Sequence, residues 1–265
     1  TFFGLHIGSS ALSSFQVAVN TTANNIANVK TTGYTRQTAN LQAKDAINVA
    51  ARYGSLGTGV TVTSIKQQRD LYYDNKYWEN NSCYGRYEQK LYYLDQIQNY
   101  FKDDGASVKG FSSVFSSMFS DLDTLRSKPS DLTVRNQFIS SAQSLCTYFN
   151  QMHDNLSKLQ DDCNEEIKNR VDEINSTTEK ISLLNKEINQ IETGTGVEAS
   201  SLRDERANLI DSLSKIVNVS YNETEIQNTN GDNLGGTNFS LYINGEKVVE
   251  GKDYRKLVCE SSDLK

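Results

Sequence analysis

Apolar residues near the start of the chain fall at Leu5, Leu12, Phe15, Val19, Ile26 and Val29, with gaps of 7, 3, 4, 7 and 3. That spacing is the a/d seam of an amphipathic helix over residues 1 to about 28, with Gly8 and Thr22 at the weak seam positions. A one-sided stripe of this kind needs a partner helix. Asn28 is placed to end the helix, and Gly33 is free to take the positive φ of a tight turn. Thr35 to Ala43 then reads as extended or irregular. Behind Gly57-Thr58-Gly59, Val60 to Ile65 alternates β-branched residues as a strand does. Two extended segments around a loop at Arg52 to Leu56 predict a long β-hairpin or ribbon.

At Gln67 the period becomes helical and stays so to about Phe101. Leu71, Trp78, Tyr87, Leu91, Leu94 and Phe101 lie roughly along one face, interrupted by Ser82 and Gly85. Asp103-Asp104-Gly105 marks a break. A helix from about Ser107 to Arg126 follows, with Phe111, Phe115, Met118, Phe119, Leu122 and Leu125 on its apolar side. Pro129, the single proline, is a firm stop. A very long helix is expected from about Thr133 to Ile191. Its seam from Phe138 through Leu145, Met152 and Leu159 to Cys163 alternates gaps of 4 and 3, stutters at Ile167 and Val171, and resumes to Ile191. At 1.5 Å per residue such a helix reaches on the order of 90 Å, so the expected molecule is elongated. Thr193 to Gly196 is a helix-stopping turn, and a helix from about Glu198 to Lys215 folds back as an antiparallel hairpin.

Beyond Val217 the texture turns β. Ile216 to Tyr221 reads as a strand and Asn228 to Thr237 as a loop. Phe239 to Ile243, Asn244-Gly245 and Glu246 to Val249 form a hairpin pattern with a type I′ turn. The fold class expected is mainly α with minor β: an elongated helical bundle or coiled-coil hairpin with a terminal amphipathic helix, a β-ribbon connector and the beginning of a β-rich domain. The segments are 1–34, 35–66, 67–215 and 216–265, the last read as truncated. Thr1 is not a start methionine, and trimming is expected at both ends.

Charge narrows the function. Lys and Arg number 27 against 33 Asp and Glu, a net −6, and the basic residues are interleaved with acids. That argues against nucleic-acid binding, which needs clustered cations. No run of about 18 apolar residues exists for membrane insertion, and no secretory signal peptide is visible. Cys83, Cys146, Cys163 and Cys259 have no C-x-x-C spacing; three sit in helical patterns, where a small buried hydrophobe is the ordinary reading. The aromatics from Tyr72 to Tyr93 read as helix packing rather than a stacking platform for bases or sugars. His6, and His153 one heptad from Cys146, lack the convergent partners of a metal site or nucleophile. Arg203, Asp204, Glu205 and Arg206 read as a solvated ion-pair face. Asn228 to Asn233 lacks the register of a calcium loop. No catalytic residue, metal site or cofactor is expected, and an enzyme is the weakest reading.

Two stretches carry a resemblance. Asn24-Asn25-Ile26-Ala27-Asn28, followed by Thr32-Gly33-Tyr34, resembles the rod- and hook-type axial proteins of bacterial flagella. Thr35-Arg36-Gln37 is most similar to the hook-associated members. Phe119, Leu122, Leu125, Pro129 and Arg135 match the same members again, in the right order. The resemblance implies a structural adaptor that joins hook to filament and lies outside the cell. It also implies export by the flagellar type III apparatus without a cleaved signal peptide. Expected partners are the hook protein, neighbouring hook-associated proteins, copies of itself in a ring, and an export chaperone docking on a C-terminus absent from this chain. In the family the terminal seam pairs with a C-terminal helix, so residues 1 to about 34 are expected to be disordered or non-natively packed in an isolated monomer. The alternatives are another axial subunit (rod, hook or flagellin-like) and an unrelated coiled-coil scaffold or adhesin module.

Overall fold

The computed structural model describes residues 2–48, 54–103, 109–231 and 233–260. The ribbon loop at Arg52, the break at Asp104-Gly105 and the helix start at Ser107 lie outside them. The elements in chain order are α1 (Phe3–Ala27), β1 (Gln37–Ala43), β2 (Ile47–Asn48), β3 (Ser55–Leu56), β4 (Val60–Gln67), α2 (Leu71–Tyr100), α3 (Phe111–Ser127), α4 (Leu132–Glu192), α5 (Ser200–Ser214), β5 (Val219–Gln227), β6 (Asn233–Ile243), β7 (Glu246–Glu250) and β8 (Asp253–Tyr254). Mainly α with minor β is therefore the observed class. Two compact units divide the chain, Thr1–Cys83 with Glu173–Val258, and Tyr84–Asp172 with Cys259–Lys265.

In the first unit β1 and β4 form the antiparallel ribbon, Gln37 opposite Gln67 and Ala43 opposite Val60, with a bulge between Asn40 and Leu41. The short β2–β3 pair extends it. Helix α1 lies along β1 and β4. It does so with its small polar face: Ser14 and Thr21 are buried, and the Ser14 hydroxyl donates to the Val60 carbonyl at 3.2 Å.

The core of this unit sits between the C-terminal part of α4, α5 and the sheet. Trp78, Ile174, Ile181, Ile210, Leu213, Phe239, Leu241 and Val249 are among its buried members. The sheet is antiparallel in the order β5-β6-β7-β8. Asn244 and Gly245 take φ of 49° and 89°, the two positive values that a type I′ turn requires. Strand β5 continues to Gln227 and β6 begins at Asn233, so both are longer than expected. Glu223, beyond the expected strand, and Thr237, read as loop, stand inside paired strands.

Short side chains fix the helix starts. Gln67 is the last residue of β4, not the first of a helix; α2 starts at Leu71, where the Asp70 carboxylate accepts the Tyr72 N–H at 2.9 Å. Asp131 caps α4 in the same way, accepting the Thr133 N–H at 2.8 Å. In the second unit Asp103 accepts both the N–H and the hydroxyl of Ser113 in the first turn of α3.

The face of α2 differs from expectation. Leu71, Tyr87, Leu91, Leu94 and Phe101 are exposed, and only Trp78 of that stripe is buried. The inward line runs instead through Trp78, Ser82, Gly85, Gln89 and Tyr93, mostly polar or small residues at heptad spacing. Gln89 and Tyr93 reach the Glu166 carboxylate of α4 at 3.2 and 2.5 Å. Ser82 and Gly85, read as interruptions, are half-buried and buried on this line. Hydrogen bonding to Glu166, with burial second, raises the Tyr93 phenol above its ordinary range.

Candidate functional site

Helix α1 is a continuous helix, and its seam faces outward. Leu5, Leu12, Phe15, Val19, Ile26 and Val29 are all more than half exposed. No Asp, Glu, Lys or Arg occurs in α1. A water-facing helix ordinarily carries charges outward and apolar residues inward. Here the small polar face is covered and the apolar seam is bare, the pattern of a surface that expects a partner.

The turn behind this seam is closed by its asparagines. The Asn25 side chain pairs with the backbone of Gln37 in both directions: its amide donates to the carbonyl at 2.8 Å and its oxygen accepts the N–H at 2.9 Å. The same oxygen accepts the Tyr34 hydroxyl at 2.8 Å, and the Asn24 amide donates to that hydroxyl at 3.1 Å. Asn28 donates back to both the carbonyl and the side chain of Asn24, and Thr31 donates to Asn28. Burial first, and the nearby Asp204 charge second, raise the Tyr34 phenol. Gly33 sits at φ 76°, as the turn requires. Asn24, Asn25, Asn28, Gly33, Tyr34 and Gln37 are thus brought together, whereas Ala27 and Thr32 are exposed on its rim. The turn and β1 enclose a groove of about 710 Å³ beside α1, lined in part by Thr21, Ile26, Tyr34 and Thr38.

Phe119, Leu122, Leu125, Pro129 and Arg135 lie in the second unit, at the α3–α4 corner. Arg135 donates from Nε to the Pro129 carbonyl at 2.7 Å and closes the loop. Phe119 stands against Phe115 with ring centroids 4.6 Å apart. Phe119 and Leu122 are exposed.

The charged run on α5 is not a solvated face. Asp204 and Arg206 are buried, at 8% and 5% exposure, and only Glu205 of the four points to water. Arg203 makes a two-toothed pair with Glu192 of α4, both bonds 2.7 Å, and reaches Glu223 of β5 at 3.1 Å. Arg206 donates to Asn185 of α4 at 2.9 Å and to Glu223 at 3.1 Å. Its guanidinium stands 4.0 Å over the Phe239 ring. Burial lowers the Arg206 pKa; burial also acts on Glu223 but is outweighed by Arg206 and Arg203, which hold that carboxyl below its ordinary value. These bonds tie α4, α5 and the sheet together. Composition had no signal for this, because exposed and buried ion pairs look alike in a sequence.

Cys83, Cys146 and Cys259 are exposed and Cys163 is half-buried, so the buried-hydrophobe reading of the three helical cysteines fails for Cys83 and Cys146. On a helix with one covered face, a small residue is as easily outside as inside. His6 and His153 are exposed. Among the described residues no group of three His, Cys, Asp or Glu is placed to hold a metal ion, and no helix is long and apolar enough to cross a membrane.

A family model described as the flagellar hook-associated protein FlgK helical domain matches residues 94–265. A model for flagella basal body rod proteins matches residues 5–35. Among curated proteins, the chain is 34% identical over 231 residues to flagellar hook-associated protein 1 of Bacillus subtilis, covering 84% of this chain and 45% of that protein. It is 32% identical over 260 residues to flagellar hook-associated protein 1 of Salmonella typhimurium, covering 96% and 43%. The chain therefore spans less than half the length of these relatives. The structure of the flagellar hook junction protein FlgK from Burkholderia pseudomallei superimposes with a TM-score of 0.56 at 20% identity, over 69% of this chain and 30% of that one. That likeness shows a shared fold.

Proposed function

We infer a structural role from one premise: this chain belongs to the family of the flagellar hook-associated protein FlgK. The reading is an adaptor that joins hook to filament outside the cell, by axial packing of terminal helices. One observation carries it. The seam from Leu5 to Val29 is uncovered on a helix without Asp, Glu, Lys or Arg, directly before the Asn-Tyr turn. Six large apolar side chains in a row lose water contact only when another helix covers them, and burying each is worth about 1.5–3 kcal/mol. The buried charges of α5 are engaged by other elements, Arg203 and Arg206 by Glu192 and Glu223, and Asp204 by Thr35 and Gln67.

The partners that fit are the hook protein, neighbouring hook-associated proteins and further copies of this chain in a ring. Export by the flagellar apparatus and an export chaperone complete the proposal. The segments 1–34, 35–66, 67–215 and 216–265 are proposed as its working divisions. A second reading, an axial subunit of the rod type, is favoured by residues 5–35, where the rod model matches.

Complementation tests the adaptor reading. A motile bacterium lacking its own hook-associated protein 1 would express the protein, intact or carrying Leu12→Asp and Val19→Asp. Filaments restored by the intact protein and lost with the variant are expected. Export of both without filaments would move the rod-type reading ahead, and loss of export for both would favour an unrelated scaffold.

A further inference from the structure

Helix α1, its turn and the β1–β4 ribbon stand apart from the buried core of their unit. Among the described residues, no side chain before Trp78 belongs to the hydrophobic core or packs against its edge. The ribbon continues covalently into α2 through residues 68–70, and a single tether leaves rotation about itself open. What closes the other side is polar, and it comes from α5 and the residues just before it.

Asp204 accepts the backbone N–H of Thr35, at the entry to β1, at 3.3 Å. Its second oxygen accepts the side-chain amide of Gln67, at the end of β4, at 2.8 Å. Glu198 accepts the backbone N–H of the same Gln67 at 3.0 Å, and the Gln67 amide also donates to the Ser200 carbonyl at 2.9 Å. Gly33 lies so close to Asn208 of α5 that a Cβ there would overlap the carboxamide. Asp204 is buried, and N–H bonds to an ionised carboxylate are stronger where water is excluded.

We propose that Asp204 and Glu198 form a clasp that sets the orientation of the terminal helix and ribbon on α5, and that it opens and closes as one joint. Both strands of the ribbon are gripped at their bases by two carboxylates, with Gly33 seated on Asn208 beside them. Opening the clasp uncovers no core side chain, so motion at this joint is separate from unfolding of the unit. Carboxylates suit the task because water takes over their hydrogen bonds when the strands leave. The clasp rests on contacts within one unit and not on the flagellar reading, so either stands if the other fails.

Amide exchange resolved to single residues in the 265-residue chain tests it. The informative signals are the amides that a variant does not touch. Asp204→Ala is expected to speed exchange at the Gln67 backbone N–H, which Glu198 holds, and Glu198→Ala to speed it at the Thr35 backbone N–H, which Asp204 holds, each by at least about tenfold. Gly33→Ala leaves the α5 sequence unchanged and is expected to speed both, because a Cβ at φ 76° strains the turn and displaces the Asn208 carboxamide. The amides of Trp78 and Val249 stay as slow as in the parent chain. The clasp is overturned if each carboxylate variant changes only its own partner amide, or if Gly33→Ala changes neither. It is equally overturned if Trp78 and Val249 accelerate together with Thr35 and Gln67, since the contact is then part of the core's own stability.

Discussion

Glu223 is where the sheet and the two helices behind it are most exposed to a single change. Its carboxylate serves Arg203, Arg206 and the Thr237 hydroxyl at once. Glu223→Ala leaves the buried Arg206 with Asn185 and the Phe239 ring but without this carboxylate, and losing one partner of a buried pair costs on the order of 3 kcal/mol. Urea unfolding followed by Trp78 fluorescence reads this directly. A change under about 1 kcal/mol would place the pair in the range of exposed surface bridges and remove it from the core's support. The acid response follows from the same carboxyl. The two guanidinium groups hold its folded pKa below the ordinary 4.5, so the folded chain binds this proton less readily than the unfolded one. The stabilisation is complete above the unfolded value and is lost as pH falls through the folded one. Glu223→Gln is therefore expected to flatten the fall in melting temperature between about pH 5 and 3, relative to the parent chain. An unchanged acid slope would mean that other carboxylates dominate.

Helix α1 is well formed but thinly held, and its amides should report that. Only its Ser14 and Thr21 face is covered, by the ribbon, whereas α5 buries Ala207, Ile210 and Leu213 in the core. In dilute monomer, α1 amides are expected to exchange at least about a hundredfold faster than those around Ile210. Protection equal to that of α5 would mean the seam is satisfied without a partner and would weaken the axial reading. The contrast between helices also explains what the sequence made legible. Where covered residues are apolar, as at Ile174, Ile181 and Ile188 of α4, hydrophobic period finds both the helix and its inner face. Where they are polar or small, the same rule points to the wrong side. That happened on α2, whose less exposed line includes Ser82, Gly85, Gln89 and Tyr93, the last two held by hydrogen bonds to Glu166. It happened again on α5, where Asp204 and Arg206 are buried because partners on other elements satisfy them. The Asn-Tyr turn was legible for a different reason: its wording is distinctive, although the pairing of Asn25 with the Gln37 backbone was not readable from spacing.

The two units differ in what holds each together. Of the buried hydrophobic side chains among the described residues, only Leu159 falls between residues 84 and 172; the others, Trp78 included, belong to the first unit. Phe119, Phe149, Leu156 and Ile167 of the second unit are substantially exposed. Its contacts run instead through single polar anchors such as Glu166 with Tyr93, and through aromatic edges such as Phe111 with Phe149. Burial of apolar area is the main term favouring a folded unit, so the second unit should be the weaker one. The chain offers a clean probe, because its one tryptophan lies in the core of the first unit. On titration with urea, helical ellipticity is expected to fall in two steps, and Trp78 fluorescence to change only with the second. The first step should carry the helices between residues 84 and 172. A single coincident transition by both probes would sink the idea, and would mean that the helical continuity of α2 and α4 couples the units into one cooperative fold. Separate transitions would instead mark the second unit as the part of this chain whose apolar faces, like the seam of α1, are completed only by what assembles around it.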